Sequence, residues 1–222
     1  MDNTGPVCPP PRAPRPATPH THPHDGAPLT PEGDYDSVEF TGTDLAGADA
    51  AGARFLDCEF RDVRLDDARL VGARFLDCVA ERLHGTGTSL ASAQLRDTRL
   101  DAPRLGGLQL HGAVLERVAF HGGKLDYLNL RGATLTDVAF ENCVLVEADL
   151  AGARLRRVSF DGCTLRDLDL RQAALTDVDL RGAASLTISD GYDRLAGAVV
   201  TPNQLLDLAP ALAARLGLRV AP

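Results

Sequence analysis

From Asp36 to Ser185 a large aliphatic or aromatic residue returns at every fifth position, without one insertion or deletion. The series begins Phe40, Leu45, Ala50, Phe55, Phe60, Leu65, Leu70 and Phe75, weakens, and then runs almost unbroken from Leu90 to Leu180. All seven phenylalanines lie on it; chance placement on a one-in-five lattice has odds on the order of 10^-5, so the repeat is settled before any other feature. Two residues earlier runs a lattice of small or slim side chains, from Val38, Thr43, Ala48, Ala53 and Cys58 to Val178 and Ala183.

A period of five is neither the two of a strand nor the 3.6 of a helix. Two inward residues in five mean that the chain turns a corner every five residues, and four corners close a coil of twenty. The longer period is visible: Ala53-Arg54-Phe55-Leu56-Asp57-Cys58 returns as Ala73-Arg74-Phe75-Leu76-Asp77-Cys78. The pattern predicts a four-sided parallel β-solenoid of about seven and a half coils, a rod of roughly 36 Å at about 4.8 Å per coil.

Irregularities in the lattice carry their own expectations. Ala80 and Gly85 occupy slots that elsewhere hold leucine or phenylalanine, so Ala80 to Thr88 should be the thinnest part of the core, with a dent, bend or extra motion. Pro103, the one proline inside the repeats, replaces a small inward residue and suits a corner. Phe40, Phe60, Phe120, Phe140 and Phe160 differ by multiples of twenty and should stack as one interior wall. Cys58 above Cys78, and Cys143 above Cys163, sit on the small inward lattice, where free thiols pack as small hydrophobes.

The flanks differ from the repeats. Residues 1–33 hold ten of the fourteen prolines and few apolar side chains, the composition of a disordered or extended Pro/His-rich tail. The first coil should start near Tyr35. After Ser185 the register stops, and Leu186 to Val200 reads as an irregular closing segment with a turn at Asp190-Gly191. Thr201 as N-cap and Pro202 at the first position then start a helix. Its leucines Leu205, Leu208, Leu212 and Leu216 form one stripe; Pro210 should kink or divide it, and Gly217 end it. The domains are thus a tail (1–33), the solenoid (34–185) and a C-terminal cap and helix (186–222). The stripe with Leu206 and Leu218 exceeds what a cap needs, and marks a homodimer contact.

The formal net charge of −8 disfavours direct nucleic-acid binding and suits a basic protein partner. No apolar run approaches the roughly 20 residues needed to span a bilayer, and no secretory apolar stretch follows the start, so a cytoplasmic protein is expected. His20, His22 and His24 in the tail lack the rigid surroundings of a physiological metal site. His111 and His121 are half a coil apart and face opposite sides. His121 stands between Asp101 and Glu141, one coil away on either side, a pairing that solvated charges explain without a pocket. No catalytic residue, metal or cofactor is assigned. The candidate surface is instead acidic: Glu39, Glu59, Asp62, Glu81, Asp101, Glu141 and Asp161 on the side through Phe40, and Asp44, Asp66 and Asp67 on the next side, through Leu45.

The runs Ala148-Asp149-Leu150-Ala151-Gly152 and Val178-Asp179-Leu180-Arg181-Gly182 resemble the A-(D/N)-L-x-x signature of pentapeptide-repeat proteins, over about 150 residues. The resemblance implies an all-β fold, a right-handed quadrilateral parallel β-helix with a C-terminal capping α-helix. Val200 to Leu218 is similar in layout to the terminal helix of the mycobacterial fluoroquinolone-resistance branch, which implies dimerisation there. That branch implies a non-enzymatic DNA mimic that binds DNA gyrase, a type II topoisomerase, and protects it from fluoroquinolones. The alternative is an interaction scaffold for an unrelated protein.

Overall fold

Every residue whose number ends in two or seven, from Glu32 to Asp177, has a positive φ, between 49° and 73°. This is the physical form of the five-residue period: each side of the coil is a short extended run closed by one left-handed residue. That conformation costs an ordinary L-residue about 1–2 kcal/mol and is easiest for Gly, Asn and Asp. Those residues recur at the corners, as at Gly42, Asp57, Gly112, Asn142 and Gly162.

This computed structural model describes residues 8–16 and 20–219. The chain winds into a parallel β-solenoid of about nine turns. We number its sides by the residues at their centres: first through Phe40, second through Leu45, third through Ala50 and fourth through Phe55. Coils pair at an offset of twenty, as in Leu115↔Leu135 and Phe120↔Phe140. Among the described residues, the fourth and first sides form one thirteen-stranded sheet and the second side a six-stranded one. The third side is joined by single bridges such as Gln109↔Asn129.

Inside, the predicted wall is present as stacks of near-parallel rings: Phe40 on Phe60 at 4.9 Å, Phe120 on Phe140 at 4.8 Å and Phe140 on Phe160 at 5.0 Å. The four core cysteines are free thiols; Cys143 and Cys163 donate to the carbonyls of Phe120 and Phe140. Ala80 and Leu100 interrupt the first-side ladder. The thin core expected there is an apolar cavity of about 50 Å³ bordered by Phe60, Phe75, Ala80, Leu95 and Leu100, and the strands run through it in register. Pro103 is accommodated by the next coil: a Cβ on Gly123 would lie 2.7 Å from its ring.

Both ends depart from the sequence expectation. Residues 8–16 and 20–33 are not a structureless tail. His22–Pro23 pairs with Val38–Thr41, Leu29 is buried, and His24 lies 4.5 Å from Phe40 while Tyr35 stacks on Phe55 at 5.0 Å. The coil therefore begins before Tyr35, because the first phenylalanine of each ladder would otherwise face water. Residues 1–7 and 17–19, also part of the expected tail, lie outside the described residues. At the other end, Ser185–Asp190 pairs with Thr164–Asp169 at an offset of twenty-one, and Ala198–Val199 pairs with Asp179's strand at twenty. The segment read as irregular is thus a further coil with local register shifts around Ile188, and the offset is back at twenty by Ala198. At Asp190-Gly191 the turn has the expected left-handed glycine (φ 88°).

Helix α1 (Pro202–Arg215) starts as expected at Thr201, whose hydroxyl accepts from the Gln204 amide while the Gln204 side chain accepts from the Thr201 amide. Pro210 does not divide it. The carbonyl that loses its donor belongs to Leu206, which is 70% exposed, so water can satisfy it. Gly217 (φ 71°) closes the helix, with the Leu218 amide donating to Ala213. No helix among the described residues is long and apolar enough to cross a membrane.

Candidate protein-docking surface

A solenoid repeats each outward position once per coil, so surface chemistry comes in columns. One first-side column reads Glu81, Asp101, His121, Glu141, Asp161, each directly in register with the next. At roughly 4.8 Å per coil these five residues span about 19 Å.

Most predicted carboxylates have a basic partner. Arg61 reaches both Glu39 (3.1 Å) and Glu59 (2.5 Å). Arg82 grips Asp62 with two nitrogens at 2.6 and 2.7 Å, which lowers that carboxyl's pKa, and lies 3.5 Å from Glu81. Arg99 faces Asp101 at 2.9 Å, and His121 Nδ1 faces Glu141 at 3.0 Å. On the second side Arg64 joins Asp44 (3.1 Å) to Asp66 (2.7 Å); Arg64 and the Thr86 amide hold Asp66 below the usual carboxylate range. Of the ten predicted acids, Asp67 and Asp161 make no ion pair among the described residues. The surface is a patchwork of pairs along which the line from Glu81 to Asp161 remains predominantly acidic.

The corner between the fourth and first sides is more strongly organised. Its column alternates Asp97, Arg117, Asp137, Arg157 and Asp177. Arg117 forks onto Asp97 with both bonds at 2.7 Å, and Arg157 onto Asp137 with both at 2.6 Å. The Asp137 side chain is only 3% exposed. These guanidinium groups hold Asp97 and Asp137 below the ordinary carboxylate pKa. Asp77, further along the same column, is pushed up by burial and by the neighbouring Asp97 and Asp57.

Sequence reasoning missed what lies on this corner. The Arg12 amide donates to Asp137 Oδ1 at 3.1 Å, across 125 residues. The Arg15 amide acts on Asp97 in the same sense. Cys8 is buried beside Asp179 and Asp177, and burial pushes its thiol pKa up. The prolines share a trough with Ala119, His121, Glu141 and Asp161. A signal was present: the outward column Glu39, Glu59, Val79, Arg99 shrinks to Ala119, Ala139, Ser159 where the tail lies.

Two family models match the chain, pentapeptide repeats (eight copies) over residues 39–75 and a pentapeptide repeat region over 133–190. Both stretches are pentapeptide repeats, and the fold joins them into one uninterrupted solenoid. Among solved structures, trypsin-treated QnrB1, a plasmid-mediated fluoroquinolone resistance protein, aligns with a TM-score of 0.53 and 18% identity, covering 90% of this chain and 96% of that one. Full-length QnrB1 aligns at 0.43 and 18%, covering 89% and 100%. HetL, a pentapeptide repeat protein involved in heterocyst differentiation regulation in the cyanobacterium Nostoc, aligns at 0.34 and 19%, covering 79% and 92%. The first likeness is one of fold. No curated protein matches the chain.

In this pentapeptide-repeat rod the leucine stripe divides by role. Leu208 is buried and Leu212 packs on the last coil, to which Gln204 Nε2 also bonds through the Leu180 carbonyl at 2.8 Å. Leu205, Leu206, Leu216 and Leu218 are 51–75% exposed. Capping therefore uses one edge of the helix and leaves the other as an apolar surface.

Proposed function

We propose that this pentapeptide-repeat protein is a non-enzymatic, cytoplasmic, protein-binding rod that acts as a DNA mimic toward a type II topoisomerase, DNA gyrase, and modulates it or protects it against fluoroquinolone-like poisons. The observation that carries this reading is the in-register line Glu81, Asp101, His121, Glu141, Asp161, which offers carboxylates at regular spacing on a rigid surface. A net charge of −8 supports it, since like charge repels nucleic acid itself and steers a basic partner. The exposed leucines Leu205, Leu206 and Leu216 join two copies through α1, placing two acidic rods in one dimer. The rod takes the place of nucleic acid on its partner and binds none itself.

A second reading, a scaffold for a protein other than a topoisomerase, is favoured by the ion pairing of Glu39, Asp44, Glu59, Asp62 and Asp66, which breaks the acidic sides into patches. Direct binding to immobilised gyrase separates the two. The mimic binds at micromolar concentration, weakens steeply with salt, and loses about tenfold or more in the triple variant Asp101→Asn, Glu141→Gln, Asp161→Asn. Absence of binding at any salt concentration leaves the scaffold. Sedimentation of Leu206→Glu against the parent protein tests the dimer, which the variant should break.

A further inference from the structure

Asp97, Asp137 and Asp177 recur on every second coil, about 9.6 Å apart at 4.8 Å per coil. A polyproline II helix advances about 9.3 Å in each turn of three residues. The two periods match to within a few tenths of an ångström, so an extended proline-rich segment laid along this corner brings every third amide to a carboxylate. The Arg12 amide donates to Asp137, and Arg15, three residues on, comes next to Asp97, two coils away, where its amide favours the ionised carboxyl. One turn upstream stands Pro9, which has no N–H to offer Asp177; Cys8 before it is buried in the trough that Asp179 and Arg181 also line.

The intervening coils complete the arrangement. Arg117 and Arg157 clamp the acceptor carboxylates from behind, keeping them ionised and oriented. Ala119, Ala139 and Ser159 make a floor low enough for proline rings. Prolines 9, 10, 11, 14 and 16 restrict the segment before it docks, which lowers the entropy lost on ordering.

We infer that this corner is a docking track for a polyproline II segment presenting backbone amides three residues apart, and that the chain's own residues 8–16 fill it and flank His121, Glu141 and Asp161, whose side chains stay partly open to solvent. A foreign proline-rich segment with the same amide phase competes for the track. That the strap thereby shields the topoisomerase surface rests on the proposed function; occupancy of the track does not.

The test uses the full-length protein and Cys8 as reporter, because the other four cysteines are buried in the core. In Arg12→Pro/Arg15→Pro both amide donors vanish while the extended conformation is kept. In Arg12→Ala/Arg15→Ala both side chains vanish while the amides stay. The prolyl variant should react with a thiol reagent at Cys8 about tenfold faster or more, the scale of a lost charge-assisted hydrogen bond, and the alanyl variant at nearly the parent rate. A fluorescent peptide of residues 8–16 should bind the prolyl variant and not the parent. Equal Cys8 rates in all three proteins, or a parent rate matching the denatured chain, would overturn the track. If Cys8 behaves as expected but the prolyl variant binds gyrase no better than the parent, the track stands and the shielding of a topoisomerase surface falls.

Discussion

Coils through Phe120, Phe140 and Phe160 and coils through Ala80 and Leu100 share one backbone and differ in what fills it. In the first, rings stack at 4.8 and 5.0 Å; in the second, a cavity of about 50 Å³ replaces a ring. Yet strand register and corner angles are the same in both. The comparison separates two jobs. Corner residues and the inter-coil ladder specify the path of the chain, while interior volume specifies how firmly each coil is held. A solenoid tolerates a hole because each coil contacts only its neighbours.

The sharpest way to break this comparison is to empty the full region. Phe140→Ala should cost about 4 kcal/mol, whereas Leu100→Ala, beside space that already exists, should cost about 2 kcal/mol. Equal losses in denaturant titrations would mean that the cavity has no energetic consequence.

Next comes the corner column, where among the described residues Asp137 is paired and Asp77 is not. Asn tolerates the left-handed conformation of Asp137 (φ 57°), so Asp137→Asn removes charge without breaking the corner, and should cost about 3 kcal/mol by orphaning Arg157. Asp137 and Asp97 have folded pKa values below the unfolded value of about 3.9, so their contribution is complete above pH of about 4 and is lost as pH falls through the lower folded values. Acid unfolding of the parent should therefore begin below that pH, and at higher pH in Asp137→Asn because its stability is lower at the outset.

Filling the empty region should do the reverse of the first test. Ala80→Leu, in register with Leu100, should add about 1 kcal/mol, the scale set by the cavity volume; a loss would mean that the space is not available to a side chain. The smallest effect is expected at Asp77, whose folded pKa is raised. Its ionisation opposes folding as pH rises above about 4, so Asp77→Asn should be slightly stabilising at neutral pH and indifferent below it. Thermal melts at pH 7 and 3.5 check both signs.

The five-residue period made the solenoid, its phenylalanine wall and the thin core at Ala80 legible in the sequence, and the Thr201-Pro202 pair the start of α1, because each depends on neighbours close by or at fixed spacing. What stayed hidden depends on partners far away in the chain. Residues 8–16 read as disordered by composition, since the groups that order them are carboxylates more than eighty positions distant. The acidic sides were legible as positions but not as pairs: Arg61 and Arg64 each choose among several acids, and only side-chain geometry shows which. Pro210 misled because helix breaking depends on whether the freed carbonyl reaches water, and at Leu206 it does.

The central claim is most directly tested by the supercoiling activity of purified DNA gyrase, with and without a fluoroquinolone, titrated with the full-length protein and with Arg12→Pro/Arg15→Pro. The account predicts inhibition or drug protection at micromolar protein, stronger with the prolyl variant and lost in Asp101→Asn/Glu141→Gln/Asp161→Asn. Unchanged supercoiling and unchanged drug sensitivity at every concentration of both proteins would contradict it, and leave a rod whose partner is not a topoisomerase.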